Sequence, residues 1–594
     1  MQRLAPLPLS DLGRDSRSQK SPTLALPGWL IPASIAGIIL AGAALRLIWV
    51  FQVGLHPDEA LYASWALRIA DGSDPLLLGV YVDKPPFLPY LLAGIASLMG
   101  NTPDSIAHLQ QLVTFGRLAG VGAGLASLEL LWSLARPVYG KRVAALAVAF
   151  LALSPLTIRL SPSLLTDPWL VLWMLLGLWA AQRGRPWLAG IACGLAFATK
   201  QQALLILPLV LGVFLLVRHN MAGGHGQRPA RAGTQRPARA GTQRPARAGT
   251  QGLTRAGTQG LTRAGTQGLT RAGTQGMTRA ASQAGTLLGD LWRLFCGFAL
   301  IAVIVLWWDS QRWMWMPSYW ERSAATYGGL ALISVPQLAG HLAGWMTVLA
   351  MVLGLPLLLL LVILWGGQLV LAARGRETRS AAQPAIAGRF DALLALFLTG
   401  FLLLHLATSL APWDRYALPL APVFALLLAR TVLWWADRFA AQGRHRARLA
   451  LAGAVAAASL WAITLAASPR FPVADNATYD GVPALAATIR ATAPADAVVY
   501  HRWFGWHYQF YLYGADLDLR WWQSPADLAQ QAASEHDRRQ LIALPSAESR
   551  TELDAALARA GLVLTPVTTV SHPDGSLSAT LFSVEPLAGA ATDD

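Results

Sequence analysis

Cysteine is nearly missing from this chain of 594 residues. Only Cys193 and Cys296 occur, both inside apolar runs, which argues against a disulfide framework and against a thiolate metal site. Charge is also scarce. Asp, Glu, Lys and Arg make up 13% of the residues against 54% hydrophobic, so most of the chain cannot face water. Acidic residues are the scarcer sign, 32 against 47 Lys and Arg, and the resulting +15 invites a nucleic-acid reading. That reading fails on distribution, because the segment 219–288 alone holds ten Arg and no carboxylate. The remaining cations are scattered over connections, where they act as a topology signal and not as a nucleic-acid groove.

What the chain does have is long apolar runs, several of them able to cross a hydrocarbon core of roughly 30 Å. Spans are expected near 29–51, 109–134, 143–160, 167–182, 186–199, 202–217, 291–308, 342–372, 391–410, 416–436 and 449–467, eleven in all. Residues 1–28 are polar and basic, and the run after them is too long for a signal-peptide core of about 7–15 residues. The connections carrying Arg136/Lys141/Arg142, Arg183/Arg185, Arg374/Arg376/Arg379/Arg389 and Arg438/Arg444/Arg446/Arg448 fall on the side of the N-terminus. The positive-inside rule makes that side the cytoplasm. The connections at Asp58, Asp167, Lys200 and Asp414-Arg415 then face outward, as does the C-terminal tail.

Two spans are short. The stretches 168–182 and 186–199 give helices of about 21–23 Å at 1.5 Å per residue, which would place Asp167 and Lys200 below the outer membrane surface. An ionisable group at that depth either snorkels to the interface or marks a functional site.

From Gln227 the chain repeats every eight residues, as QRPARAGT, then QGLTRAGT, then QGMTRAAS. Units with so little apolar content cannot offset the entropy of ordering, so 219–288 reads as a disordered cytoplasmic linker. It divides the membrane region into 29–218 and 289–467. After residue 467 the composition changes to helix-like stretches at 482–491, 525–533 and 548–560, alternating with strand-like ones at 498–500, 541–544, 562–565 and 580–584. Residues 468–594 therefore read as a small soluble α/β domain. Its aromatic run, Trp503 to Tyr513 with Trp521-Trp522, suits a packed core, a contact with the spans, sugar stacking or the headgroup layer. Asn476-Ala477-Thr478 matches an N-glycosylation sequon.

Polar knots punctuate the apolar chain in a definite order. His56-Pro57-Asp58-Glu59 follows the first span and Asp83-Lys84-Pro85-Pro86-Phe87 follows next. Arg117 opens the second span, Asp167 stands between the third and fourth, Thr199-Lys200 between the fifth and sixth, and Arg415-Tyr416-Ala417-Leu418-Pro419 near the tenth. This series resembles the polyprenyl-phosphate-dependent GT-C glycosyltransferases, bacterial members of the protein mannosyltransferase and aminoarabinose transferase type. The resemblance runs through about the first 430 residues, and no single motif carries it. The octapeptide repeat departs from the family pattern. In the tail, Tyr479-Asp480-Gly481-Val482 and Gly505-Trp506-His507-Tyr508 are similar to outer domains of some members.

The resemblance implies an all-α polytopic membrane domain of about eleven helices followed by the small α/β domain. It also implies transfer of a sugar from a polyprenyl-phosphate carrier to a lipid, protein or glycan acceptor at the outer face of the cell membrane. Such a reaction needs a base, stabilisation of an oxocarbenium-like centre and cations on the departing phosphate. Asp58 is the expected base, with Glu59 beside it as the second catalytic candidate. Lys84, Lys200 and Arg415 are expected on the phosphate, because a dianion near hydrocarbon needs charge that water cannot fully supply. Asp83, Asp167, Arg117 and Tyr62 are supporting candidates, Arg117 as a structural ion pair. No cofactor and no metal is expected, although His56, Asp58 and Glu59 would together suit a divalent ion. By analogy with the family, the displacement is a single inverting step.

A transporter or lipid flippase would share the many spans and buried charges. It is disfavoured by the lack of an inverted repeat and by charges at helix ends instead of the midplane. A sugar-binding protein with a degenerate enzyme core is the third class.

Overall fold

The computed structural model describes residues 30–51, 54–100, 105–224, 260–327, 331–374, 385–468, 471, 479–535, 537–572 and 574–587. A bundle of helices fills the first part of the chain, and a five-stranded α/β domain sits at one end of it. The stretch 1–28 and the sequon at Asn476 lie outside the described residues.

The bundle begins with α1 (Leu30–Val50), then α2 (Pro57–Ala70) and α3 (Phe87–Met99), a pair of helices packed together within what the sequence offers as a loop. The next four are α4 (Ile106–Tyr139), α5 (Lys141–Ala152), α6 (Pro155–Leu160) and α7 (Asp167–Gln182). They are followed by α8 (Pro186–Thr199), α9 (Leu207–Gly224), α10 (Gly260–Ser310) and α11 (Tyr319–Tyr327). The bundle closes with α12 (Leu338–Leu353), α13 (Leu355–Ala373), α14 (Ala385–Ala407), α15 (Ala421–Ala441) and α16 (His445–Ala467). Among the described residues eight helices are long and apolar enough to cross a membrane, with Phe87–Met99 and Pro186–Thr199 among the shorter apolar ones.

Two expected spans are broken. The run 143–160 stops at Leu153, where Ser154 caps a new helix (Thr157 N to Ser154 Oγ, 3.4 Å) and Pro155 supplies no amide proton. The run 342–372 divides at Gly354, whose φ of 87° is open to glycine at little cost, and Pro356 in the following turn fixes the new start. The octapeptide repeat also departs from expectation. Instead of a structureless linker throughout, its units from Gly260 onward are the first part of α10. Those units have lost the Pro229, Pro237 and Pro245 of the earlier ones, and so extend backward a helix that the apolar 285–310 stretch anchors.

The connections sort to opposite ends. At one end Tyr139 donates to Asp391 (2.7 Å), Arg142 pairs with Asp437 (3.1 Å) and Arg389 donates to Asn220 (3.1 Å), so the basic connections share it. Asp58, Lys84, Asp167, Lys200 and Arg415 occupy the other end. A stripe of small residues on α4 shapes this second end. A Cβ on Gly120 would lie 2.4 Å from the Ser161 carbonyl oxygen, and one on Gly124 would lie 2.6 Å from Ser161 Oγ. The chain from α6 into α7 therefore lies directly on α4.

The α/β domain comprises α17 (Val482–Thr492), β1 (Val498–His501), α18 (Gly505–Tyr511), β2 (Asp518–Trp521) and α19 (Pro525–Ala533), then β3 (Gln540–Pro545), α20 (Thr551–Arg559), β4 (Leu562–Ser571) and β5 (Leu577–Pro586). Strand order is β2-β1-β3-β5-β4, with β1 parallel to both neighbours and β5 antiparallel to both of its own. Val498, Tyr500, Ile542, Leu544 and Phe582 pack one face against Leu528 and Leu557. The aromatic run supplies α18, where His507, Tyr508, Phe510 and Tyr511 are buried while Trp506 and Trp521 are exposed. This helix packs on α2. His507 Nε2 donates to the Leu55 carbonyl (2.8 Å), and the Tyr513 hydroxyl bonds Asp71.

Candidate active site

The acidic knot is a helix start. His56 is the N-cap of α2, its Nδ1 accepting from the Asp58 amide (3.1 Å), with Pro57 and the two carboxylates in the first turn. Glu59 closes the box by accepting from the His56 amide (2.9 Å). These local rules point the neighbouring carboxylates in different directions.

Glu59 turns inward. It is 2% exposed, and its oxygens also accept from Arg117 (Nη2, 3.0 Å; Nε, 3.3 Å) and from the Leu164 amide (2.8 Å). Arg117 donates in addition to the carbonyls of Val50 (3.1 Å) and Gly54 (3.1 Å). One buried pair thus ties α2, α4, the end of α1 and the chain entering α7. Asp58 turns the other way, to the wall of a cavity of about 630 Å³, where it pairs with Arg415. Burial alone would raise its carboxyl. Arg415, with help from His56 and Lys84, outweighs that and holds it at about 2.

Asp83 and Lys84 close the loop between α2 and α3. Lys84 Nζ meets Asp83 Oδ2 at 2.5 Å and the Tyr327 hydroxyl at 2.9 Å, and that hydroxyl donates to Asp83 (2.8 Å). Lys200 follows α8, buried against Asp167 at 2.6 Å, with the Tyr416 ring 4.6 Å from its Nζ. Gln201 ties this turn to the Asp83 carbonyl (3.0 Å). Lys84 and Lys200 line a second cavity of about 540 Å³, with Tyr327, Tyr416, His405 and apolar residues such as Leu204 and Leu410. Tyr327 lines both cavities. Tyr62 is buried one turn beyond Asp58, within the fields of Asp58, Asp83 and Arg415.

All nine candidates therefore lie at one end of the bundle, on segments up to 357 positions apart. Two further residues have no counterpart among the sequence candidates. Tyr327 carried no signal, being one aromatic in an aromatic-rich connection. Arg159 lines the first cavity at 8% exposure. A cation within an apolar run is itself a flag by the rule that singled out Asp167. Among the described residues no group of three or more His, Cys, Asp or Glu gathers as a metal set.

A family model described as dolichyl-phosphate-mannose-protein mannosyltransferase matches residues 83–223. Across nearly the whole chain, the fold matches that of ArnT from Cupriavidus metallidurans in its apo state, with a TM-score of 0.54 over 93% of this chain and 98% of that one, at 16% identity. The chain thus has the fold of ArnT, and its residues 83–223 match the mannosyltransferase family model.

Sequence similarity is more local. Undecaprenyl phosphate-alpha-4-amino-4-deoxy-L-arabinose arabinosyl transferase 2 of Proteus mirabilis (strain HI4320) is 27% identical over 198 residues, 30% of this chain and 34% of that one. YycA of Bacillus subtilis (strain 168), named as a mannosyltransferase, is 32% identical over 145 residues, 23% of this chain and 20% of that one. The matches thus span a fifth to a third of these relatives. The family-model match contains Asp83, Lys84, Arg117, Asp167 and Lys200, while Asp58, Glu59 and Arg415 lie outside it.

Proposed function

We propose that this protein is a GT-C membrane glycosyltransferase that moves a sugar from a polyprenyl-phosphate carrier to an acceptor hydroxyl, with inversion at the anomeric carbon. One observation carries the reading. A paired but cavity-facing carboxylate, Asp58, stands across Tyr327 from a largely apolar cavity that holds two buried lysines.

In this reading the carrier phosphate enters the second cavity beside Lys84 and Lys200, with the prenyl tail along Leu204, Leu205 and Leu410. Asp58 takes the proton as the acceptor oxygen attacks the anomeric carbon. The bond from that carbon to the phosphate oxygen breaks, and its electron pair leaves with the polyprenyl phosphate, whose charge the lysines meet. Arg415 lies between the two tasks: it holds Asp58 ionised, and it gains a second partner when the phosphate arrives. Asp167 and Asp83 keep the lysines in place. Glu59 and Arg117 act as positioning residues, since all their geometry is spent on holding α2. The donor supports the reaction without a further cofactor.

The name of the Proteus relative supports an undecaprenyl-linked donor, and the arginine-rich connections at the opposite end support action at the outer face of the plasma membrane. The test is Asp58→Asn in membranes given a radiolabelled polyprenyl-phosphate sugar. Transfer is expected to fall by about 10²–10⁴ with the protein still folded. Undiminished transfer removes Asp58 as the base, and a wild type inert toward every lipid-linked sugar removes the activity.

A further inference from the structure

At the arginine-rich end, opposite the two cavities described above, α9 and α14 leave a groove of about 510 Å³ between them. Its shape follows from one close crossing. A Cβ on Gly212 would lie 2.6 Å from Leu393 Cδ1, so the two helices touch there and leave space toward the connections, beside Leu216 on one wall and the small Ala392 on the other. The rims are apolar and open, with Leu215 39% and Leu396 70% exposed, as suits side chains that meet lipid tails. Both helices also lead to the lysine cavity, α9 beginning beyond the Lys200 turn and α14 carrying Leu404 and His405 into the wall of that cavity.

The mouth of the groove is basic, lined by His219 and Arg389. Arg389 donates to Asn220 Oδ1 (3.1 Å), and Asn220 in turn donates to the Leu216 carbonyl (2.9 Å), so the guanidinium is aimed by an amide that carries no charge. Carboxylates at this end serve other cations: Asp290 faces Arg218 and Arg293, Asp391 faces Arg430, and Asp437 faces Arg142. The chain's own connections add the same sign. The segment 219–288 has ten Arg and no carboxylate, and Arg374, Arg376 and Arg379 precede α14 with Glu377 as the one acid among them. Segments of that charge are repelled from Arg389, which favours an anion from outside the chain. Apolar walls open to lipid tails and ending on cations at the helix ends match a lipid with a negative headgroup.

We propose that this groove holds one anionic phospholipid of the leaflet at the arginine-rich end, its phosphodiester on Arg389 and His219 and an acyl chain along Leu216, Ala392 and Leu393. A lipid seated there fixes the spacing of α9 and α14, the two helices that also frame the lysine cavity. The site serves neither donor nor acceptor and does not rest on the glycosyltransferase reading.

The test uses the full-length protein, delipidated in detergent and titrated with dioleoyl phosphatidylglycerol or dioleoyl phosphatidylcholine. Retained lipid is counted by native mass spectrometry, and the thermal midpoint is followed in parallel. One phosphatidylglycerol per chain is expected, with the choline lipid, whose ammonium the arginines repel, bound at least tenfold more weakly, and the midpoint should rise as phosphatidylglycerol binds. Arg389→Gln should weaken phosphatidylglycerol at least tenfold. Ala392→Phe should do the same by filling the groove with every charge in place. Arg142→Gln, which removes a cation of the same end outside the groove, should leave binding unchanged. Equal weakening by Arg142→Gln, or equal retention of the choline lipid by the wild type, reduces the attraction to the general charge of this end and overturns the site. Undiminished phosphatidylglycerol binding by either folded groove variant overturns it as well, as does a wild type that retains none. Binding that appears only after deletion of 225–259 gives the groove to that segment, and a wild-type dimer that phosphatidylglycerol does not disperse gives it to a second copy of the chain.

Discussion

The carboxylate of Asp58 and the guanidinium of Arg415, 357 positions apart, form an ion pair on a cavity wall instead of inside a packed core. Such a pair holds a base ready but also holds it back. The proton acceptor is ionised because Arg415 is there, and it becomes a stronger base when Arg415 is drawn elsewhere.

That balance predicts a pH signature. The profile of kcat/KM follows the free enzyme and that of kcat the bound complex. With Asp58 held at about 2 in the free protein, kcat/KM should show no acid limb from this group above about pH 4. Arg415→Gln leaves burial, the largest influence on the carboxyl, without its strongest opponent, so the limb should move above the ordinary aspartate value of about 3.9. Profiles of both proteins decide it. An unmoved limb in Arg415→Gln would leave Arg415 serving the phosphate alone.

The Glu59–Arg117 pair makes a different prediction, about stability. Glu59→Ala strands a buried guanidinium and should cost about 3–5 kcal/mol, whereas Glu59→Ala/Arg117→Met removes both charges and should recover part of that. Chemical unfolding of the two single variants and the double one measures the coupling. Additive losses would show that the pair does not act as a unit.

On the other side of Tyr327, Lys84→Ala and Lys200→Ala should each weaken undecaprenyl phosphate binding about tenfold to a hundredfold, the loss of one charge-assisted contact to a phosphate. Tyr327→Phe keeps the ring and removes only the hydroxyl that links Asp83 to Lys84, so its loss should be smaller. Equilibrium binding to the purified protein orders the three. A Tyr327→Phe loss equal to that of Lys84→Ala would make the hydroxyl itself a phosphate ligand.

Much of this end was legible in the sequence, and the reasons differ by residue. Apolar length placed α7 and α8 to the residue, and so put Asp167 and Lys200 at helix ends. The pairing of those two followed from nothing in the sequence, since it depends on how two helices 33 positions apart are set side by side. Asp58 and Glu59 look alike on the page. Their separation into a cavity-facing and a buried carboxylate comes from the capping box at His56 and Glu59, which the sequence reading missed because it placed these residues in a connection. Helix α2 itself was hidden, because residues Glu59 to Leu67 are buried all round and show no amphipathic period. Tyr327 needed the fold, whereas Arg159, a cation within an apolar run, was open to the same rule as Asp167.

The last prediction concerns the α/β domain, which meets the membrane part at the base-bearing helix. His507 on α18 donates to the carbonyl of Leu55, the residue before the N-cap of α2, and its ring stacks on Tyr479 at 4.6 Å. Burial, the largest influence, holds the imidazole down at about 4, against about 6.5 in an unfolded chain. The sign follows. A group whose folded value is depressed contributes fully above the unfolded value and loses that contribution as pH falls through the folded one, so this contact is whole above about pH 6.5 and is lost toward pH 4, by as much as about 3 kcal/mol. Hydrogen exchange of α2 and α18 should therefore speed up between pH 7.5 and 5 after correction for the intrinsic rate. His507→Phe, which keeps a ring but carries no proton, should remove that pH dependence while weakening the docking at every pH through the unpaired Leu55 carbonyl. Transfer activity should fall with the loss of protection in α2, because Asp58 is in the first turn of the helix that His507 steadies. Protection of α2 that stays level from pH 7.5 to 5 would mean that the domain rests on the membrane part without holding it.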